Sequence, residues 1–162
     1  MIHIKTVNLS LYKKVYSPIR LKKIAEKILD GEGFEKKDYE LSLVFCDDEF
    51  IKNLNRIYRK KNKPTDVLSF SVPKNFPSGE VQFLGEIVIS LETVFNKYLD
   101  NPEKAKQEIY LLFCHAFLHL LGYVHDTVPQ RKEMMEKQAK YLDIDIKSAW
   151  IKYPQKIEKK GR

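Results

Sequence analysis

Apolar residues change their spacing from segment to segment along the chain, and each spacing predicts an element. Ile2, Ile4, Val7 and Leu9 alternate loosely with polar residues, which predicts an opening strand over residues 2–9. Ser17-Pro18 then supplies a helix cap with proline at the first helical position. Leu21, Ile24, Ala25, Ile28 and Leu29 form one apolar stripe behind it, and Gly31 closes the helix. Residues 40–46 read as a second strand. Asp47 can cap a helix whose predicted buried face is Phe50, Ile51, Leu54 and Ile57 or Tyr58, with Arg56 and Arg59 on its polar side. A short basic turn over residues 60–64 leads into an alternating strand over 65–72, and a loop rich in Pro, Gly, Ser and Asn over 73–79 leads to a strand over 83–89. Ser90 caps a short helix through Leu99. Asn101-Pro102 caps a long central helix over residues 102–121, with Glu103 in the first turn where the helix dipole favours a carboxylate. A last helix follows Pro129 and runs to Leu142. Strands and helices are intermixed without regular βαβ repetition. The expected fold is therefore α+β: one domain over residues 1–150, with helices packed on a mixed sheet of about four strands, and a Lys-rich, flexible tail over 151–162.

Composition narrows the class. Hydrophobic residues make up 43% and charged ones 31% of the 162 residues, which is a globular balance sufficient for one core. No apolar run approaches the roughly 20 residues of a membrane span. The first residues lack the charged-then-apolar pattern of a signal peptide, so the expectation is a soluble cytoplasmic protein with no membrane partner. Cys46 and Cys114 sit in apolar segments without a CxxC, and are expected to be small buried hydrophobes. The net charge of +7 favours partners that carry phosphate.

Candidate chemistry concentrates in the central helix and just beyond it. His115 and His119 are four apart, so on a helix they project from one face at the separation that two ligands of one metal ion require. Gly122 can take the left-handed conformation that closes the helix and folds the chain back, which returns His125 toward the same point. Three imidazoles with an open fourth position predict a zinc centre of the hydrolytic kind, although Ni²⁺, Co²⁺ or Cu²⁺ also accept nitrogen ligands. Cys114 points about 100° away from His115 around the helix, which removes it as a fourth ligand. The spacing His-x-x-x-His-x-x-Gly-x-x-His resembles that of the metzincin zinc proteases, but Ala116 stands where their general-base Glu would be.

Three segments, in order, resemble the YbeY family of bacterial metal-dependent endoribonucleases. They are Leu54-Asn55-Arg56-Ile57-Tyr58-Arg59 leading into Thr65-Asp66-Val67-Leu68-Ser69-Phe70; Leu84-Gly85-Glu86-Ile87-Val88-Ile89-Ser90; and His115 to His125. The resemblance implies a cytoplasmic, single-strand-specific endoribonuclease that acts in maturation of ribosomal RNA, chiefly the small-subunit 3′ end, and in ribosome quality control. It implies a metal, usually zinc, on His115, His119 and His125, the functional arginine at Arg59, and single-stranded RNA and the small ribosomal subunit as partners. Two positions depart from the family pattern: Ala116 replaces a usual Gly, and Val124 a usual Asp, leaving Asp126 as the nearest carboxylate.

On this reading the metal activates a water or polarises a phosphoryl oxygen, while the Arg59 guanidinium holds phosphate through paired hydrogen bonds. Arg56, Lys60, Lys61 and Lys63 make a basic rim for the strand. Thr65, Asp66 and Ser69 read as turn and strand-end hydrogen-bonders ahead of a direct role in the site, and Glu108 as an ordinary exposed residue ahead of one that supports the histidines from behind. No general base stands out; the RNA 2′-hydroxyl, a metal hydroxide or a carboxylate can serve. Two other classes compete: a zinc hydrolase of peptide or amide bonds, against which Ala116 speaks, and a non-catalytic RNA-binding ribosome-assembly factor with a structural metal.

Overall fold

A computed structural model describes residues 1–77 and 79–150; the basic tail expected over 151–162 lies outside the described residues. The elements run β1 (Ile2–Asn8), α1 (Pro18–Gly31), β2 (Asp38–Cys46), α2 (Asp48–Arg59), β3 (Val67–Ser71), β4 (Val81–Ser90), α3 (Leu91–Lys97), α4 (Pro102–Leu120) and α5 (Val128–Leu142). The strands form one sheet in the order β1-β2-β4-β3, parallel except for the antiparallel edge pair β3 and β4. This is the mixed four-stranded α+β architecture that the intermixed pattern predicts.

Alternation along the strands divides the apolar residues between two faces. Tyr39, Leu41, Leu43 and Phe45 of β2 join Ile2, Ile87 and Ile89 in the main core, where α1 and α4 cover them. The other face holds a small cluster of Cys46, Leu68 and Val88 beneath Ile51 of α2. In α4, Ile109, Leu112, Phe113 and Phe117 are fully buried; complete burial of such side chains contributes about 1.5–3 kcal/mol each. This helix packs on β3 and β4 and against α1, α3 and α5, so whatever its side chains hold is held by the core.

Several caps form as the residues dictate. Ser17 accepts from the Arg20 N–H, Ser90 from Thr93 and Asn101 from Lys104, each satisfying an amide that the helix start leaves open. At the start of α2, by contrast, Asp47 occupies the cap position without a side-chain capping bond; its Oδ2 accepts from the Leu11 N–H instead.

The buried face of α2 differs from the expectation. Ile51 and Asn55 are buried, whereas Phe50, Ile57 and Tyr58 are 41%, 59% and 65% exposed. Leu54 is half-buried against the small cluster, so Ile51, Leu54 and Asn55 turn toward the sheet while Phe50, Ile57 and Tyr58 stay largely in solvent. Asn55 fits that face because its Nδ2 donates to the Lys63 carbonyl at 2.8 Å, which pins the basic loop to the helix end. Glu108 is also not an ordinary exposed residue: it accepts from Lys97 Nζ at 3.0 Å and from the Tyr98 hydroxyl at 3.2 Å.

Two glycines answer to close approach. A Cβ on Gly85 would stand 2.4 Å from the Phe70 carbonyl oxygen, and its φ of +131° disfavours any other residue. It sits where the β2–β4 register shifts by a bulge. Gly31, expected to stop α1 by its conformation, is the last helical residue; a Cβ there would lie 2.6 Å from the Tyr141 ring, and the left-handed turn falls on Gly33.

Candidate metal centre

The last two turns of α4 place His115 and His119 one above the other. Their ring centroids are 4.5 Å apart and their Nε2 atoms 3.0 Å apart. Gly122 then adopts φ +101°, its N–H closing on the His119 carbonyl, and the Tyr123 N–H bonds back to the Leu118 carbonyl. The reversed chain brings His125 to ring-centroid distances of 5.3 Å from His115 and 4.8 Å from His119. One ligand atom from each of the three lies within 4.8 Å of the others. The fourth histidine, His3, lies exposed on β1.

The surrounding hydrogen bonds fix which nitrogens face inward. Gln138 is fully buried on α5, and its Nε2 donates to the Ala149 carbonyl at 2.7 Å, so its Oε1 must be the atom 2.8 Å from His115 Nδ1. His115 Nδ1 therefore carries the proton. His119 Nδ1 likewise donates to the Tyr123 carbonyl at 2.7 Å. Both Nε2 atoms then offer lone pairs only 3.0 Å apart, the arrangement of two nitrogen ligands of one cation. A proton is a poor candidate for that cation. Burial, followed by the charge of His119, pushes His115 down to about 3, and burial followed by His125 lowers His119 as well. Burial lowers His125 too. The donor set thus fits a divalent transition metal: three neutral nitrogens, with at least two backed by a hydrogen-bond acceptor as metal-bound imidazoles usually are.

The other candidate residues fall around this point as follows. Arg59 ends α2, exposed, and its positive charge contributes to lowering both His119 and His125. Arg56, Lys60, Lys61 and Lys63 are exposed on the end of the same helix and the loop that Asn55 anchors. Asp126 is exposed, and its charge acts on His119 and His125. Cys114 is fully buried with its thiol pushed well up by burial, in keeping with a core residue. Ala116 is 1% exposed in the core, so the position that bears the metzincin base offers no access to a substrate.

Three residues behind the centre had no signal as site residues in their own segments. Gln138 orients His115, Tyr123 orients His119, and Arg131 reaches the carbonyls of His125 and Asp126 at 3.5 and 3.4 Å. One readable signal existed for their element. Thr127-Val128-Pro129-Gln130 is a capping box, with Thr127 accepting from the Gln130 N–H and the Gln130 side chain accepting from Thr127. It fixes the start of α5, with its cap Thr127 two residues after His125.

The family model described as Endoribonuclease YbeY matches residues 8–144. Among curated relatives, the endoribonuclease YbeY of Clostridioides difficile is 40% identical over 127 residues, covering 76% of this chain and 82% of that one. That of Aquifex aeolicus is 34% identical over 136 residues, covering 84% and 88%. The solution structure of a Thermotoga maritima protein is similar with a TM-score of 0.50 at 27% identity, covering 93% of this chain and 89% of that one.

Proposed function

Because the chain belongs to the Endoribonuclease YbeY family, we propose that it is a metal-dependent endoribonuclease that cuts single-stranded RNA, with ribosomal RNA of the small subunit as its physiological substrate. The observation that carries the reading is the convergence of His115, His119 and His125, one ligand atom of each within 4.8 Å of the others, in the field of the Arg59 guanidinium. His115, His119 and His125 would hold the metal, zinc by the preference of three imidazoles. When bound, zinc supplies Lewis acidity and a water acidified toward neutrality.

The chain's own residues perform the rest. The Nδ1–H groups of His115 and His119, held by Gln138 and the Tyr123 carbonyl, keep both rings turned with their lone pairs inward. Arg59 binds a phosphate oxygen and neutralises the charge that grows on it during cleavage. Arg56, Lys60, Lys61 and Lys63 track the backbone of the strand. Exposed Tyr58, held edge-on by Phe70 at 5.1 Å, offers a ring face beside Arg59 for a base.

The test is cleavage of an end-labelled single-stranded RNA by wild type, His119→Ala and Arg59→Ala, with chelation and metal add-back. Wild type is expected to cut, chelation to stop it, and zinc to restore it. His119→Ala should lose both cleavage and metal. Arg59→Ala should keep fold and metal and lose most cleavage. Equal cleavage by wild type and His119→Ala refutes the proposal, and loss of metal from Arg59→Ala refutes the role given to Arg59.

A further inference from the structure

Three segments remote in sequence meet behind the ligand loop. Glu32, at the C-terminal end of α1, has a side chain only 9% exposed, and its Oε1 pairs with Lys137 Nζ at 2.8 Å. The hydroxyls of Tyr123 and Tyr141 donate to the same carboxylate. Lys137 Nζ also lies 4.6 Å from the Tyr123 ring centroid, on its face. Gly31 makes the meeting possible, since a side chain there would occupy the position of the Tyr141 ring. Burial alone would raise the Glu32 carboxyl, but the three donors outweigh it and hold the group ionised.

Tyr123 faces two ways. Its hydroxyl rests on Glu32, and its carbonyl receives the Nδ1–H of His119 at 2.7 Å. It also lies between Gly122, where the chain reverses, and His125. The next residue to Lys137 on α5 is Gln138, which orients His115. A carboxylate placed only to finish α1 would need none of these contacts with the ligand loop. We propose that Glu32 is a positioning residue for the metal centre, acting through Tyr123 as a strut whose hydroxyl is fixed by the carboxylate and whose carbonyl fixes the imidazole of His119. The inference rests on the reading of the three histidines as metal ligands. Partners that orient metal-bound imidazoles typically change metal affinity about 10- to 100-fold when removed.

Four proteins test it: wild type, Tyr123→Phe, Glu32→Gln and Tyr141→Phe. For each, the zinc dissociation constant is measured by competition with a chromophoric chelator, the visible spectrum is recorded with Co²⁺ loaded, and thermal unfolding is followed without metal. Tyr123→Phe and Glu32→Gln are expected to weaken zinc about 10- to 100-fold and to shift the cobalt bands. Tyr141→Phe removes a hydrogen bond to the same carboxylate but leaves the strut, so it should lower the unfolding temperature and leave zinc affinity within about twofold. The inference is overturned if Tyr123→Phe lowers the unfolding temperature as Tyr141→Phe does but keeps wild-type zinc affinity and cobalt spectrum. Equal loss of affinity in all three variants also overturns it, because general loosening would then explain the effect. Wild type that binds neither zinc nor cobalt overturns the metal reading itself, a result separable from the other two.

Discussion

The metal-free protein should lose stability as the pH falls below about 6.5. His115 is 6% exposed, and its imidazole is pushed from 6.5 down to about 3, first by burial and then by the charge of His119. The folded chain keeps this ring neutral over a range in which the unfolded chain protonates it. The unfolded state therefore binds more protons, and the stability is fully present above the unfolded value and lost as pH falls toward the folded one. At about 1.4 kcal/mol per pH unit, acidification to pH 5 costs about 2 kcal/mol from His115, and the whole window sets a ceiling near ~5 kcal/mol. His119 and His125 shift in the same direction and add to the loss. Asp66, whose carboxyl is raised by burial and by Glu108, opposes it. The assay is urea unfolding of chelator-treated protein at pH 7.5 and pH 5 at one ionic strength. A difference under about 0.5 kcal/mol would refute the reasoning, since the histidines would then not be held neutral in the fold. Saturating zinc should stabilise the protein at pH 7.5, and that gain should shrink on acidification because protons compete for the same nitrogens.

Two further outcomes follow from the packing. Gly85→Ala should cost about 2 kcal/mol or more in the same titration, because its Cβ would press on the Phe70 carbonyl at a φ of +131°; a cost under about 0.5 kcal/mol would show that the bulge yields easily. Asn55→Ala should cost about 1–3 kcal/mol and speed hydrogen exchange at residues 60–64, since it removes the donor to the Lys63 carbonyl. Unchanged exchange in that loop would show that the loop is held by other contacts.

The histidine cluster was legible because its geometry is local. Helix period, a glycine stop and a short return are all contained between His115 and His125, so spacing alone assembles the three rings. The strands and the caps Ser17, Ser90 and Asn101 were legible for the same reason, each being written within a few residues, whereas the Asp47 side chain is drawn off to the remote Leu11 N–H. The face of α2 was legible only for Ile51 and Leu54, because apolar identity does not say which side chains of a helix meet the sheet. Ile57 and Tyr58 face solvent there, and a polar residue, Asn55, turns inward because Lys63 supplies its partner. The braces were equally hidden. Glu32 meets Tyr123 and Lys137 across 91 and 105 residues of chain, and only the packed fold brings such groups together.

The bond from Gln138 to Ala149 gives the end of the described chain a say in proton placement. That bond keeps the amide from turning over, and the amide decides which nitrogen of His115 bears hydrogen. A chain cut or fused ahead of residue 149 would free the amide to present its NH₂ group to the ring. The proton would then move to Nε2, and one lone pair would leave the centre although every histidine remained. Shortened or fused forms of this protein must therefore keep residues through Ala149, or they will look like ligand mutants while carrying an intact ligand set.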